Sequence, residues 1–484
     1  MEAKVNTKAI LITFMIGAFF AILNETLLNI ALTELMNVFE VPAPTVQWLA
    51  TGFMLVMGVL MPISALLIQS FTTRQMFIGV MSIFLAGTVI AASAVNFPML
   101  LAGRMIQAIG TGLLIPVIMN AILLLYRPEV RGKIMGTFGL VIMFAPAIGP
   151  TLSGVIVDML GWRWLFLSVI PFAIFSILFA LKYLQNVGEV TKPKVDVLSI
   201  VLSTIGIAGI IYGFSSAGEH GQGFLSPSII AIIAGSLLSL LLFVLRQLKL
   251  EEPLLDVRVF KYQSYARGIT LFVFVIMAMF ASEIVMPMYL QGPLGYSAKV
   301  AGLLLLPGAL LNGLMSPVMG NLFDKYGPRK LIIPGTIVLS SVMLFFSKIN
   351  ASVPVGFFIF AYIVLMLSIS AIMMPAQTNG LNALPKHLYP HGTAIANTLQ
   401  PVGGALGVSV FVSIMTQGKN GYLAEQTGPM TEQMMNEAMT LGVHHAYWFA
   451  LSLSLVAFLI SLFVKKAVAP DFEPTEHAEQ PIKT

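Results

Sequence analysis

Pro317-Val-Met-Gly-Asn-Leu-Phe-Asp324-Lys-Tyr-Gly-Pro-Arg329 repeats the skeleton of an earlier stretch, Pro62-Ile-Ser-Ala-Leu-Leu-Ile-Gln69-Ser-Phe-Thr-Thr-Arg74. Proline, an amide or acid, and arginine recur in the same spacing, 255 residues apart. Each stretch links two long apolar runs, so the chain reads as a duplicated bundle of helices. The same offset carries Glu25 to position 280, within one helical turn of Glu283. The two glutamates thus hold nearly equivalent places in two halves.

The runs themselves are membrane spans. The 484 residues are 57% hydrophobic and 10% charged, and the mean hydropathy is +0.91, far outside the range of soluble domains. About 20 mostly apolar residues are needed to cross a bilayer as a helix, whereas barrels show short alternating segments. The pattern predicts helices near 9–32, 46–68, 76–95, 99–124, 134–157, 163–182, 197–215, 228–246, 268–290, 300–322, 331–348, 354–375, 393–415 and 442–464. The expected fold is therefore an all-α membrane protein with 14 transmembrane helices, built as two pseudo-symmetric six-helix bundles plus two inserted helices. Residues 1–184 form the first bundle, 185–250 the insertion, 251–466 the second bundle and 467–484 a polar cytoplasmic tail. A short amphipathic helix is expected around Met430 to Met439 in the outer loop near 417–441.

Charge orients this arrangement. With both termini cytoplasmic, 21 of the 26 basic residues fall in inner loops, four outside (Arg163, Lys299, Lys348, Lys419) and one, Arg104, within a helix. The net charge of +5 then faces anionic lipid headgroups and calls for no nucleic acid. The run after Lys4 and Lys8 reads as a retained first helix, since it lacks a small-residue cleavage site. The absence of cysteine excludes disulfides and thiol chemistry.

Glu25 and Glu283 are the acids deep within apolar stretches. A charge at the centre of a membrane helix costs about 2.5–3.5 kcal/mol on the mildest scale, so a carboxyl there is best kept neutral by a proton. Gaining and losing that proton as exposure changes is what proton-coupled transport requires; a structural acid bonded to a neighbouring helix is the alternative. Arg104 is costly for the same reason and points either to coupling with a carboxylate or to a buried ion pair or carbonyl clamp. Asn24, Asn29, Gln107, Asn312, Asn397 and Gln400 either line a polar cavity or bridge helices. His444 and His445 read as interfacial residues.

Helix 5 carries Ala145-Pro146-Ala147-Ile148-Gly149-Pro150-Thr151-Leu152-Ser153-Gly154, whose small residues allow close helix approach and whose prolines free carbonyls. This segment resembles the antiporter signature, motif C, of the major facilitator superfamily, departing at Ser153 where glycine is usual. Gly103-Arg104-Met105-Ile106-Gln107-Ala108-Ile109-Gly110-Thr111-Gly112 is similar to motif B, whose arginine is implicated in proton coupling. The turn from Asp324 to Arg329 is similar to motif A, which locks the cytoplasmic side through charge pairing. Its first copy has Gln69 in the aspartate place and Thr72 in the glycine place. Helix 1, Leu23-Asn24-Glu25-Thr26-Leu27-Leu28-Asn29-Ile30-Ala31-Leu32-Thr33, is similar to the fourteen-helix drug:proton antiporters, which usually carry aspartate where Asn24 stands and proline where Thr33 stands. Within that family the chain most resembles lincomycin-resistance-type multidrug exporters of Gram-positive bacteria.

The resemblance implies a proton-coupled multidrug exporter of amphiphilic or cationic drugs, lincosamides among them, in the bacterial cytoplasmic membrane. Glu25, Glu283 and Arg104 would couple protons; Pro146, Gly149, Pro150 and Gly154 would seal or hinge; Asp324, Arg329 and Arg74 would govern the cytoplasmic gate. The expected partners are small-molecule drugs, protons and the lipid bilayer, for a monomer that uses no cofactor. No Walker loop, HExxH, GxSxG or metal-ligand spacing occurs, so the chain is not expected to be an enzyme. An importer or symporter of a small metabolite, or a non-transporting membrane receptor, is the alternative.

Overall fold

The computed structural model describes residues 7–125, 128–184, 186, 190, 196–217, 224–251, 253–350, 352–385, 388–426 and 431–467. Fourteen long helices run through these residues, with no strand among them: α1 Thr7–Phe39, α2 Trp48–Ser70, α3 Thr73–Ala92, α4 Phe97–Leu125, α5 Pro128–Leu160, α6 Ile170–Tyr183, α7 Val197–Ser216, α8 Pro227–Lys249, α9 Gln263–Gln291, α10 Ala298–Tyr326, α11 Arg329–Phe346, α12 Val355–Leu381, α13 Tyr389–Glu425 and α14 Glu432–Ser461. A helical turn, Trp164–Leu167, leads into α6. Thirteen of the spans are long and apolar enough to cross a membrane, the window from Trp164 to Tyr183 being one of them. The fourteenth, α5, has 33 residues, and its sequence from Ile134 to Val157 is apolar as well. The chain is a multi-pass membrane protein.

Several helices outrun their apolar segments. At 1.5 Å per residue, the 33 residues of α1 and the 37 of α13 measure about 50 Å or more, against a hydrocarbon core of about 30 Å. Hydrophobicity marks where lipid ends, while the backbone stays helical until a cap or a breaker stops it. This also corrects the expected short helix near Met430 to Met439: α13 continues to Glu425, and α14 begins at Glu432, capped by Thr431. The tail expected at 467–484 lies outside the described residues after Ala467.

The packing follows the repeat. In the first set α1 packs on α5, α2 and α3 on α4, and α3 on α6; in the second α9 packs on α13, α10 and α11 on α12, and α11 on α14. Each pairing maps onto the other when eight is added to the helix number. The two sets meet along α5 with α10, α2 with α13, and α1 with α9. Helices α7 and α8 pack on each other, and α7 also touches α2 and α13.

The repeated turns fold differently for a visible reason. Gly327 ends α10 at φ +78°, a conformation that suits glycine. Thr72, at the matching position, instead starts α3 as a capping box with Gln75. Both turns lie at the end of the molecule that carries the basic loops, its basic end.

Candidate functional site

Asn24 and Glu25 are neighbours on α1 and so point about 100° apart. Asn24 is buried and faces Arg104 of α4; Glu25 is half-buried and makes no hydrogen bond among the described residues. Arg104, only 1% exposed, donates from one Nη to Asn24 Oδ1 at 2.9 Å, to the Asn24 carbonyl at 3.4 Å and to Gln107 Oε1 at 3.1 Å. Its Nε reaches the Leu49 carbonyl at 3.4 Å, and its guanidinium lies 4.3 Å from the Phe53 ring centroid. Gln107, one turn along α4, donates in turn to Thr88 Oγ1 at 2.8 Å, and Asn24 donates to the Leu165 carbonyl at 3.4 Å.

A fixed cation is thus held by neutral acceptors and an aromatic face. No acid stands within ion-pair distance of Arg104 among the described residues; the ion pairs there are Arg246 with Asp196 and Arg258 with Asp256. Glu25 nevertheless lies within electrostatic reach of both Arg104 and Glu283. Glu283, on α9, is half-buried, and its Oε2 is fully buried without a hydrogen-bond partner. Tyr362 of α12 is close enough to feel its charge, and Tyr447 of α14 donates to the adjacent Ser282 at 3.3 Å.

The amides expected along a cavity divide. Asn24 and Gln107 are consumed by Arg104 and bridge helices. Asn29 is buried, Asn312 and Gln400 are half-buried and Asn397 is exposed; none of these four makes a hydrogen bond among the described residues. Their amides stay available to a ligand or to water. No group of three or more metal-ligating side chains occurs among the described residues.

The Pro146 to Gly154 segment of α5 is wedged between α1 and α10. A Cβ at Gly149 would strike the Thr26 side chain, and Ser153 Oγ donates to the Leu27 carbonyl. A Cβ at Gly154 would lie 2.4 Å from the Ala298 carbonyl oxygen, and one at Gly302 would lie 2.4 Å from that of Pro150. Thr151 Oγ1 donates to the Gly302 carbonyl at 3.1 Å, and the Lys299 amide donates to Asp158 at 3.2 Å. Gln291 of α9 adds a 3.1 Å bond to the Ile30 carbonyl of α1. The two sets of helices are closed against each other at the end opposite the basic loops.

A family model described as Major Facilitator Superfamily matches residues 14–408. The chain belongs to the major facilitator superfamily. It is 48% identical over 457 residues to the lincomycin resistance protein LmrB of Bacillus subtilis (strain 168), covering 94% of this chain and 95% of that one. It is 25% identical over 441 residues to the multidrug transporter protein MdtP of the same organism, covering 90% and 81%. The superfamily fold is seen as well in a bacterial homologue of the human lysosomal transporter spinster, in an inward-facing and occupied conformation, with a TM-score of 0.68 at 13% identity, covering 96% of this chain and 97% of that one.

In this superfamily chain the repeated arginines act alike. Arg74, at the start of α3, donates to the Leu181 carbonyl at 2.5 Å, and Arg329, at the start of α11, reaches the Leu462 carbonyl at 3.5 Å. Each therefore places a cation at the end of the sixth helix of its own set, where free carbonyls favour it. Asp324 is exposed and forms no ion pair with Arg329. Thr88, Phe53, Thr26 and Leu49 carry no signal in the sequence; they are ordinary span residues whose roles arise only when distant helices meet.

Proposed function

We propose that this chain is a secondary exporter that exchanges external protons for amphiphilic or cationic drugs. The observation that carries the reading is the pair Glu25 and Glu283: two carboxyls on facing helices of the two sets, neither with a hydrogen-bond partner for its free oxygens among the described residues. An intramembrane acid without a structural bond is available for a proton or a cation. The likeness to the lincomycin resistance protein LmrB supports drugs as the cargo, lincosamides included.

The proposed cycle places the basic end in the bacterial cytoplasm with both termini, and has residues 1–184 and 251–466 rock about the midplane as two bodies. The closed end at Gly154 and Gly302 faces outward. When it opens, Glu25, Glu283 or both take up a proton and the drug leaves. When the cytoplasmic side opens, the proton departs and the negative site regains affinity for a cation. Arg104 and the polar side chains Asn29, Asn312, Asn397 and Gln400 tune and line that site. Asp324, Arg329 and Arg74 govern the cytoplasmic gate, and the monomer is the working unit.

The test is substrate-induced proton movement in proteoliposomes with a pH-sensitive probe inside. Lincomycin or ethidium is expected to drive proton flux in the parent protein, and Glu283→Gln is expected to abolish most of it while leaving insertion intact. Flux unchanged in Glu283→Gln at several pH values would remove this residue from coupling. Flux in the same direction as substrate would make the chain a symporter.

A further inference from the structure

The inserted pair α7 and α8 has no counterpart in the repeat, and its contacts differ between its two ends. At the basic end it is fastened to the second set. Gln247 of α8 donates to Ser199 of α7 at 2.6 Å and accepts from the Leu255 amide, in the linker to α9, at 3.2 Å. Arg258 of the same linker reaches the Leu248 carbonyl at 2.9 Å, and the Asp256 amide donates to His391 Nδ1 of α13 at 3.3 Å. Phe243 joins Leu255, Tyr265 and Leu388 in one apolar cluster.

At the other end α7 lies across the seam between α2 and α13. Ser413 of α13 donates to the Phe214 carbonyl at 3.4 Å. From the first set, Gln47 donates through Nε2 to Ser215 Oγ at 3.1 Å, and Trp48 meets Tyr212 with ring centroids 5.8 Å apart. One to two turns deeper, Met54, Ile207, Ile211 and Ala405 make a small apolar cluster from the same three helices. The polar layer above it is underbonded: Gln47 Oε1, Thr51 Oγ1, Ser216 Oγ and Ser409 Oγ are buried without a hydrogen-bond partner among the described residues.

We infer that α7 is a latch on the outer gate, riding with the second set and held to the first by Gln47 with Ser215, Trp48 with Tyr212 and the small apolar cluster of Met54 with Ile207 and Ile211. The inference rests on the rocking motion proposed above. If the outer seam opens, α2 must leave α13, and α7 cannot follow both. Its fastening through Gln247, Leu255, Asp256 and His391 ties it to the second set, so the contacts to α2 are the ones that part. They are suited to parting. One neutral hydrogen bond nets little, and the orphaned oxygens of the layer gain water as soon as the seam admits it, which offsets the loss. Gln47 and Ser215 are therefore positioning residues of the transport cycle.

The chain contains no cysteine, so an engineered pair supplies its sole thiols. Q47C/S215C would tie α7 to the first set, and F214C/S413C would tie it to the second. Each is reconstituted into proteoliposomes, oxidised with copper phenanthroline, and assayed for ethidium transport before and after reduction. Oxidised Q47C/S215C is expected to lose about tenfold in rate and to recover on reduction, as a gating step demands. Oxidised F214C/S413C is expected to stay within about twofold of its reduced form. Full transport by Q47C/S215C protein whose cross-link has formed, or an equal block by both cross-linked pairs, overturns the latch. The single variant T51C separates the latch from the exporter reading, with a membrane-impermeant maleimide added from outside. Labelling that responds to pH, with no ethidium transport in the parent, sustains the latch and removes the exporter; no labelling at any pH overturns the latch.

Discussion

Gly154→Ala tests whether the α5 and α10 contact is what holds the end opposite the basic loops shut. The new Cβ would sit 2.4 Å from the Ala298 carbonyl oxygen and 2.8 Å from Lys299 Cα, where real Cβ contacts do not fall below 3.0 Å. Relief takes at least 3.0 − 2.4, or about 0.6 Å, of movement. Both obstacles are backbone, so a helix must shift where a side chain could have swung away. Overpacking of this kind costs about 1–3 kcal/mol. The cost falls on the closed arrangement alone, because parting the seam removes the clash. The closed population should then fall relative to the open one by about 5- to 150-fold. Spin labels at Leu160→Cys and Leu303→Cys, both exposed near that end, would read this as a longer distance between α5 and α10, with slower export. Gly235→Ala is the control, since its Cβ meets nothing within 4 Å and should at most firm up α8. Distances in Gly154→Ala that match the parent, together with normal export, would refute the reasoning.

Other expectations follow from the same geometry. Arg104→Lys keeps the charge and loses the fork that serves Asn24, Gln107 and Leu49 together; losing one such charge-assisted bond costs about 1.5–3 kcal/mol, and thermal unfolding in detergent identical to the parent would contradict it. The Asp196 carboxyl, beside Arg246 at 2.8 Å, is held down at about 2 by that hydrogen bond, against an ordinary value of 3.8. Because the folded value is depressed, this stabilisation is complete above about pH 4 and is lost as pH falls through about 2. Asp196→Asn should accordingly lower the melting temperature slightly near neutrality and converge with the parent in acid; melts across pH 2 to 7 that stay parallel would sink the assignment.

The fold was legible because its signals are local and repeated. An apolar run announces a span on its own, and the recurrence of Pro62 to Arg74 at Pro317 to Arg329 announces the duplication. Helix lengths were less so, because α1 and α13 continue past their apolar segments under backbone hydrogen bonding that hydropathy does not report. At the site, the cost of burying Arg104 pointed to a partner without naming it. An acid was one natural guess, yet the structure supplies Asn24 from α1, the Leu49 carbonyl and Phe53 from α2, and Gln107 from the arginine's own helix. A glycine is equally mute: Gly149 and Gly154 advertise a close approach, and only the assembled helices show that one meets Thr26 and the other α10. The motif A turn pairs its arginines with helix-end carbonyls in both copies, a choice no spacing of charges could reveal.

The neutral surroundings of Arg104 bear on how exchange could work. An arginine in an ion pair would fix one glutamate as a permanent anion, and that acid could no longer answer to a proton. Held by amides and carbonyls, Arg104 keeps its full charge while Glu25 and Glu283 stay unpaired. Glu25 lies within electrostatic reach of both Arg104 and Glu283, so the three groups count as one electrostatic unit wherever water is excluded. With both acids ionised that unit is one negative charge in excess. One proton neutralises it, and so does one monovalent organic cation. In the proposed cycle each ligand then lowers the affinity for the other by satisfying the same charge, and neither has to touch the other's atoms. Reciprocal exclusion of this kind is what antiport requires, and it tolerates cargo of varied shape because only the charge is shared.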